Sequence, residues 1–308
     1  MRIFMTGGTG LIGRAVLAEL TARHEVSALA RSGTAAVRLR ALGAAPVRGD
    51  LRTPSHWLAD LGPVDAVVHC AAVFEAGNMA AAEARFLAAL RRTLALGPTR
   101  LRVVYTGGVW LYGAGAERVQ DETAPFDPLP PFAYMADQIA ALRADPMIDL
   151  RVVHPGLVFD SAGGGALQDM IADLEAGRPV RVTGDPAVRW PLVHVEDLAD
   201  LYRRALEWEA PGLVVNGVAA EGVEVAAIAR ALARNCGLPP PGFAVRPVAQ
   251  AVAEDGPIAA GYARSQRISG ARARSLLGWR PAHAAPGAEA DASAKRLGAG
   301  RRLCNPIA

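Results

Sequence analysis

The first residues with a chemical use are three glycines at a spacing of three, Gly7, Gly10 and Gly13, placed between an apolar segment and an amphipathic one. Without side chains, such a loop can turn tightly and approach a pyrophosphate, and the helix that follows supplies amides directed at the anion. The spacing predicts a dinucleotide-binding βα unit for NAD or NADP. The loop residues predicted to contact the cofactor are Gly7, Thr9, Gly10, Leu11 and Ile12.

The choice between the two dinucleotides depends on the end of the second predicted strand. That strand ends at Arg31 and Ser32, with no carboxylate to bind the ribose diol of NAD. An arginine at this place suits the 2′-phosphate of NADP. We therefore predict that Arg31 and Ser32 contact NADP, with NAD as the alternative if Arg31 is only a solvated surface cation.

Composition limits the classes of protein and the catalytic groups. The chain has 308 residues, 51% hydrophobic and 20% charged, which is typical of a globular protein. The net charge of +3 predicts no nucleic-acid partner, and the short apolar start predicts neither a membrane span nor export, so we expect a cytoplasmic protein. Among 33 basic residues the single lysine is Lys295, in a basic terminal segment.

The elements that must position these residues alternate between short apolar runs and longer helical patterns. This alternation predicts an α/β fold, a Rossmann-type doubly wound parallel sheet. We assign residues 1–160 to the dinucleotide-binding domain and residues 161–308 mainly to a small C-terminal substrate lobe, with some segments returning to the Rossmann core. The predicted strands are 2–6, 25–30, 46–48, 66–70, 102–106 and 150–154, and the predicted helices are 11–22, 37–42, 80–96, 134–143, 166–175 and 195–206.

Motifs in order along almost the whole chain resemble the extended short-chain dehydrogenase/reductase superfamily, in particular its NAD-dependent epimerase/dehydratase type. The opening TGGTGLIG resembles TGxxGxxG. Further similar segments are Gly49-Asp50-Leu51, His69-Cys70-Ala71-Ala72, the run from Arg151 to Phe159, the run from Trp190 to Ala199, the run from Gly212 to Asn216, and Leu277-Gly278-Trp279-Arg280-Pro281. The resemblance implies that Asp50 contacts adenine and that the 154–156 backbone meets the nicotinamide. The further cofactor contacts that it implies are Asp50, Leu51, Cys70, Ala71, Ala72, His154, Pro155 and Gly156.

The chain departs from this family at the proton relay, which consists of a Ser or Thr and a YxxxK motif. Gly108 stands at the hydroxyl position, and Thr106 is the only hydroxyl nearby. A register set by the prolines places Phe132 at the tyrosine position, and a register set by the tyrosine that is present selects Tyr134. Neither register contains a lysine. The chain thus resembles an atypical branch of the superfamily in which YxxxK is degenerate.

These features leave Tyr134 as the candidate acid/base residue and Thr106 as the candidate substrate-binding hydroxyl. The residues expected to line a substrate pocket are Trp110, Tyr112, Trp190 and His194. No metal site is predicted, because Glu196 and Asp197 are typical of helix N-terminal charge.

The sequence therefore predicts an NAD(P)-dependent oxidoreductase or epimerase/dehydratase for a small carbonyl or hydroxyl compound, with a non-standard proton relay. The alternatives are a lyase, isomerase or cyclase that retains the nucleotide as a scaffold, and a non-catalytic dinucleotide-binding protein. The expected partners are a small-molecule substrate and a second copy in a homodimer.

Overall fold

The structure is a computed structural model, and it describes residues 1–72, 79–93 and 100–288. Lys295, the basic terminal segment and the predicted helical residues 94–96 lie outside the described residues.

Most predicted elements are present, and their first and last residues differ from the expected ones by at most four positions. The strands are β1 (Arg2–Thr6), β2 (Glu25–Ala30), β3 (Ala45–Arg48), β4 (Ala66–His69), β5 (Leu101–Thr106), β6 (Gly115–Gln120), β7 (Ile148–Pro155), β8 (Leu157–Phe159), β9 (Val180–Thr183), β10 (Arg189–His194), β11 (Leu213–Gly217), β12 (Ala220–Glu224), β13 (Phe243–Arg246) and β14 (Gln266–Ile268). The helices are α1 (Leu11–Thr21), α2 (Gly33–Ala41), α3 (Met79–Thr93), α4 (Ala133–Ala144), α5 (Gln168–Glu175), α6 (Val195–Glu207), α7 (Val225–Asn235), α8 (Val248–Asp255) and α9 (Ala271–Leu277).

The described residues divide into two compact units, each built from separate stretches of chain. The first takes its residues from Met1–Gly107, Tyr134–Val153 and Ala199–Val214. The second takes them from Gly108–Ala133, His154–Leu198 and Val215–Ala308.

The first unit contains a seven-stranded sheet in the order β11-β7-β5-β4-β1-β2-β3. The registered pairs β1 with β2, β1 with β4, β2 with β3, β4 with β5, and β5 with β7 are all parallel. The chain runs outward from β1 to β3 and then returns to β4 on the other side of β1. This reversal is the switch point of a doubly wound sheet, where α/β proteins bind ligands at the carboxyl ends of the strands. The predicted Rossmann-type fold is confirmed.

Apolar periodicity explains why α1 forms next to the glycine loop. Gly13, Val16, Leu17 and Leu20 are buried at helical spacing, so one face of α1 packs on the sheet. All four residues of β4 are buried, as expected for a strand covered on both faces. These two elements hold the loop residues rigidly at the carboxyl end of β1.

The second unit contains three small sheets, with the strand orders β12-β10-β8, β13-β9 and β14-β6. Its core includes Tyr112, Phe159, Trp190 and Ile228. Several of its strands have only three or four residues, which is too short for a clear alternation of apolar and polar positions. For that reason the sequence predicts no strand where β9 and β13 are found.

No helix among the described residues is both long enough and apolar enough to span a lipid bilayer.

The replacement Gly13→Ala tests the packing between α1 and the loop. A Cβ at residue 13 would lie 1.9 Å from the carbonyl oxygen of Gly7, and both atoms belong to a rigid backbone. We expect a loss of about 1–3 kcal/mol in the free energy of unfolding, measured by urea denaturation, together with weaker NADPH binding.

The control variant is Gly242→Ala, because a Cβ there meets only Pro179 at 3.9 Å. Unchanged stability and unchanged nucleotide binding in Gly13→Ala would contradict this account of the loop.

Candidate functional site

The glycine loop is held against the end of β4. Gly7 has φ = 77°, and a Cβ on it would lie 2.6 Å from the amide nitrogen of Ala71. The Gly10 N–H donates to the Gly7 carbonyl (3.0 Å). Gly10 is also the N-cap of α1 and provides no side-chain cap, so the first amides of the helix are left for an anion. Among the other predicted loop contacts, Thr9 is exposed and Leu11 and Ile12 are half-buried.

Arginines surround the carboxylate at the end of β3. Arg52 donates to both oxygens of Asp50, through Nε (3.0 Å) and Nη2 (2.7 Å). These bonds, assisted by the charge of Arg31, hold the pKa of Asp50 below its usual range. Arg48 lies near the start of α2, since its Nη1 is 3.9 Å from a Cβ placed on Gly33. The ends of β2 and β3 thus carry several arginines, of which Arg52 and Arg31 act on the Asp50 carboxylate.

Two predicted cofactor contacts in this region have structural partners. The Ser32 hydroxyl accepts a hydrogen bond from the Ala35 N–H (3.1 Å) and caps α2. Leu51 is buried. Ser32 therefore fixes the first turn of α2, and Leu51 anchors the loop after β3.

The segment after β4 joins the glycine loop to the middle of the sheet. His69 is buried, and its Nδ1 lies 2.7 Å from the Thr6 hydroxyl, which links β4 to β1. Burial raises the pKa of the Cys70 thiol to about 12, so this group is neutral at physiological pH. Ala71 is half-buried and Ala72 is exposed. This segment therefore presents backbone and a neutral thiol beside the loop.

Thr106 is bound on both sides by groups of the first unit. Its hydroxyl donates to the carbonyl of His69 (2.7 Å) and accepts from the phenol of Tyr202 (2.7 Å). The Cys70 sulfur lies 3.5 Å away. Burial raises the pKa of Tyr202, which keeps its phenol protonated as the donor. The single proton of the Thr106 hydroxyl is thus already used by a backbone carbonyl.

Tyr134 contacts a carboxylate buried inside the first unit. Glu83 on α3 is 3% exposed. It accepts one hydrogen bond from the Tyr134 phenol (3.4 Å) and another from the Tyr105 phenol. The Nε2 of His69 lies 3.6 Å from the same carboxylate. Burial first, and then the charge of Glu83, raise the pKa of both phenols.

In the second unit, His154 organises the segment that starts at Gly108. Its Nδ1 accepts a hydrogen bond from the Gly108 N–H (3.2 Å), so the residue at the expected hydroxyl position contributes an amide instead. The His154 ring packs edge to face on Tyr112, with a centroid distance of 5.4 Å. The Tyr112 phenol donates to the Asn216 side chain (2.9 Å). Tyr112 is fully buried and acts here as a packing residue.

Close backbone packing explains the glycine that follows Pro155. The Gly156 N–H donates to the carbonyl of Gly217 (3.0 Å). A Cβ on Gly156 would lie 2.8 Å from the carbonyl oxygen of Pro191. Pro155 is buried at the end of β7. The 154–156 backbone is therefore fixed against β10 and β11.

The predicted pocket aromatics cluster around Tyr262, which the sequence did not indicate. Trp110 packs on Tyr262 at a centroid distance of 5.3 Å and on Phe132 at 5.8 Å. Trp190 lies 5.4 Å from Tyr262 and donates its indole N–H to the carbonyl of that residue (2.9 Å). Phe132, which the proline register places at the tyrosine position, therefore packs on Trp110 as an aromatic residue.

His194, the fourth predicted pocket residue, lies apart from these aromatics in a polar cluster. Its Nε2 is 2.9 Å from the Ser161 hydroxyl, and its Nδ1 accepts from the Glu196 N–H (3.3 Å). Its ring stacks on His283 with the centroids 3.9 Å apart. Burial and the neighbouring His283 lower the pKa of His194, so its imidazole is neutral at physiological pH.

Sequence reasoning missed the partners that define these clusters: Glu83, Tyr105, Tyr202, Asn216, Tyr262 and His283. Only Glu83 had a recognisable signal. It shares the apolar face of α3 with Phe86, Leu87 and Leu90, at spacings of three, four and seven residues. An acid on the buried face of a helix is uncommon unless it is paired.

One family model matches more than half of this chain, and several known proteins resemble it in sequence. The model of the NAD dependent epimerase/dehydratase family matches residues 3–216. The uncharacterized protein C2A9.02 of Schizosaccharomyces pombe is 28% identical over 297 residues, which cover 92% of this chain and 96% of that protein. The 2-alkyl-3-oxoalkanoate reductase of Stenotrophomonas maltophilia is 27% identical over 238 residues, or 71% of this chain and 69% of that protein.

The fold is also found among solved structures. The human epimerase family protein SDR39U1, solved with NADPH, has a TM-score of 0.75 at 24% identity, over 96% of this chain and 100% of that chain. The UDP-glucuronic acid 4-epimerase of Bacillus cereus, solved with NAD, has a TM-score of 0.75 at 17% identity, over 94% and 98%.

The buried phenols predict how stability changes at alkaline pH. The pKa of Tyr134 is raised in the folded state, so its contribution is complete below about pH 10, the usual pKa of tyrosine, and is lost as the pH rises above it. In Tyr134→Phe this contribution disappears. We expect the free energy of unfolding to fall less steeply above pH 10, by up to about 1.4 kcal/mol per pH unit.

Urea denaturation at a series of alkaline pH values measures this slope. Phe132→Leu is the control, because it removes a neighbouring ring that does not titrate and should leave the slope unchanged. If the curves of Tyr134→Phe and the wild type stay parallel, the phenol is not held protonated as described.

Proposed function

We propose that this chain, which belongs to the NAD dependent epimerase/dehydratase family, binds a nicotinamide dinucleotide at its glycine loop and reduces a small carbonyl compound. The observation that carries the proposal is the close packing of this loop. A Cβ on Gly7 or Gly13 would fall 2.6 Å or 1.9 Å from backbone atoms. With the uncapped amides of α1 beside it, the loop has the form that a pyrophosphate requires. NADPH in the human relative and NAD in the Bacillus epimerase support this cofactor class.

NADP is the dinucleotide that the charges favour. Asp50 follows β3, which pairs with β2, and Arg52 already binds both of its oxygens. A carboxylate paired in this way is a poor acceptor for a ribose diol. Arg31 and Arg48 add positive charge at the same strand ends, and guanidinium groups bind phosphate well.

Tyr134 is the proposed proton donor. When bound, a reduced nicotinamide supplies the hydride for the carbonyl carbon. The carbonyl oxygen then needs a proton, and the Tyr134 phenol keeps its own at physiological pH because its pKa is raised. The 3.4 Å bond to Glu83 is long, so the phenol is only weakly held in its present orientation. After the transfer, the Tyr134 phenolate takes its proton back from solvent, which reaches this half-buried side chain.

The carboxylate of Glu83 beside Tyr134 favours the protonated phenol that a reduction uses. Alcohol oxidation requires a base that accepts the hydroxyl proton, and a lysine beside a tyrosine provides one by lowering the pKa of the phenol. Here the neighbour of Tyr134 is a carboxylate, which raises that pKa. Because the pKa is raised, the phenol is protonated at physiological pH, which is the state that donates to a developing alkoxide; oxidation would have to start from the deprotonated state, which is scarcely populated. The relative that reduces 2-alkyl-3-oxoalkanoates supports the same direction.

A second candidate function is non-catalytic dinucleotide binding. It is favoured by the state of Thr106, whose hydroxyl donates to His69 and accepts from Tyr202 and thus is not available to orient a substrate carbonyl. Under this alternative, the loop would bind NADP(H) and no carbonyl compound would oxidise NADPH.

Arg31→Ala tests the preference for NADP. Removing this charge should weaken NADPH binding at least about tenfold and leave NADH binding almost unchanged, because only NADPH carries the 2′-phosphate. Nucleotide fluorescence titrations give both dissociation constants. The control is Arg40→Ala, which removes an exposed cation from α2. An equal loss for the two nucleotides would contradict the assignment.

Tyr134→Phe tests the proton donor. With a panel of small ketones and aldehydes and NADPH, we expect turnover to fall by about 10²-fold or more, since general-acid catalysis is worth that much. The dissociation constant of NADPH should stay the same. The reduced-nicotinamide absorbance measures the rate.

Phe132→Leu is the matched control and should lose far less turnover than Tyr134→Phe, because Phe132 transfers no proton and contacts the expected pocket only through Trp110. Full activity of Tyr134→Phe would assign the proton to another group. No absorbance change with any compound, in a wild type that binds NADPH, would favour the non-catalytic alternative.

A further inference from the structure

Two histidines and a glutamate that are distant in sequence converge in the second unit. His194 is the last residue of β10, Glu196 lies in the first turn of α6, and His283 follows α9. One ligand atom from each lies within 4.8 Å of the other two. His194 is buried, whereas the side chain of His283 is 33% exposed and that of Glu196 is 67% exposed. An ion from solvent can therefore reach the cluster.

Asp197 fixes the orientation of His283. Its carboxylate is 6% exposed and accepts the backbone N–H groups of Ala282 (2.8 Å) and His283 (3.0 Å). The same carboxylate lies 3.0 Å from the His283 Nδ1. A carboxylate at Nδ1 holds the proton on that nitrogen and leaves the lone pair on Nε2, as in the carboxylate-histidine pairs that support metal ligands.

In this orientation an acceptor nitrogen of His283 faces an acceptor oxygen of Glu196, and a cation bound between them would stabilise the pair. The Nε2 of His283 lies 3.1 Å from the Oε2 of Glu196. With the proton on Nδ1, both of these atoms are acceptors, and two lone pairs at this distance repel each other. Either a second proton on the imidazole or a metal ion shared by the two atoms removes the repulsion. His194 stacks on the same ring and brings a further nitrogen.

We propose that His194, Glu196 and His283 bind a divalent transition-metal ion of the zinc class. Two imidazoles and one carboxylate form a donor set that Zn²⁺ accepts, with a fourth position left for solvent. Two carboxylates face the His283 ring, with Glu196 Oε2 3.1 Å from Nε2 and Asp197 Oδ1 3.0 Å from Nδ1, so negative charge lies next to the cluster.

Three ligands at about 2.0–2.2 Å from one ion require the exposed Glu196 side chain to move and the His283 ring to turn out of its stack on His194, because the lone pairs of stacked imidazoles do not converge. His194 must give up one of its bonds, to Ser161 or to the Glu196 N–H. The site is therefore weaker than a closed structural zinc site.

The test is calorimetric titration of the full-length, metal-stripped and tag-free protein with ZnCl2 at neutral pH. We expect one saturable equivalent that is lost in His283→Ala and weakened about tenfold or more in Glu196→Gln. Glu196→Gln keeps the shape of an exposed side chain, so it stays folded even if His283→Ala does not. His56→Ala removes an exposed histidine of the first unit and should bind Zn²⁺ like the wild type.

Co²⁺ gives an independent readout, because its visible d–d absorption reports coordination by nitrogen and oxygen ligands. We expect these bands in the wild type and in His56→Ala, and much weaker bands at the same Co²⁺ concentration in Glu196→Gln. The proposal is overturned if no saturable Zn²⁺ binding occurs, or if Glu196→Gln binds the ions as the wild type does. These readouts require neither a nucleotide nor a substrate.

Discussion

The contact between the carbonyl of Gly7 and the backbone of Gly13 is the constraint on which the first unit depends. It brings α1 so close to the loop after β1 that no side chain fits at either position. The Thr6 hydroxyl and the His69 imidazole join β1 to β4 at the same level. The loop, the Cys70–Ala71 peptide and the uncapped start of α1 are thereby fixed together at the switch point of the sheet, which is where a doubly wound fold binds its ligand.

The polar network around Glu83 affects the chemistry that the first unit can perform. A cationic neighbour would stabilise a tyrosinate and create a base. The buried carboxylate does the reverse, since it accepts hydrogen bonds from Tyr105 and Tyr134 and raises the pKa of both. The replacement of a positive neighbour by a negative one thus changes the sign of the electrostatic effect. A phenol in this setting stays protonated at physiological pH, which is the state that a proton donor for carbonyl reduction requires.

The fold could be predicted from the sequence because local patterns encode it. The glycine spacing, the buried run of β4 and the period of α1 lie within short segments, and the family resemblance is confirmed by the match to residues 3–216. The polar clusters could not be predicted in this way. Glu83 meets Tyr134 across 51 residues, and His283 meets Asp197 across 86. Such pairs depend on how distant elements pack, and no periodicity within one element reveals them. The catalytic roles of Tyr134 and Thr106 therefore stay predictions.

The central claim is that a hydride moves between a nicotinamide and a carbonyl compound on this protein. Incubation with NADPH deuterated at the transferable position of the nicotinamide, followed by mass spectrometry of the products from a panel of small carbonyl compounds, tests it directly. The account predicts an alcohol product that carries one deuterium. Binding of the labelled NADPH without deuterium in any product would contradict it.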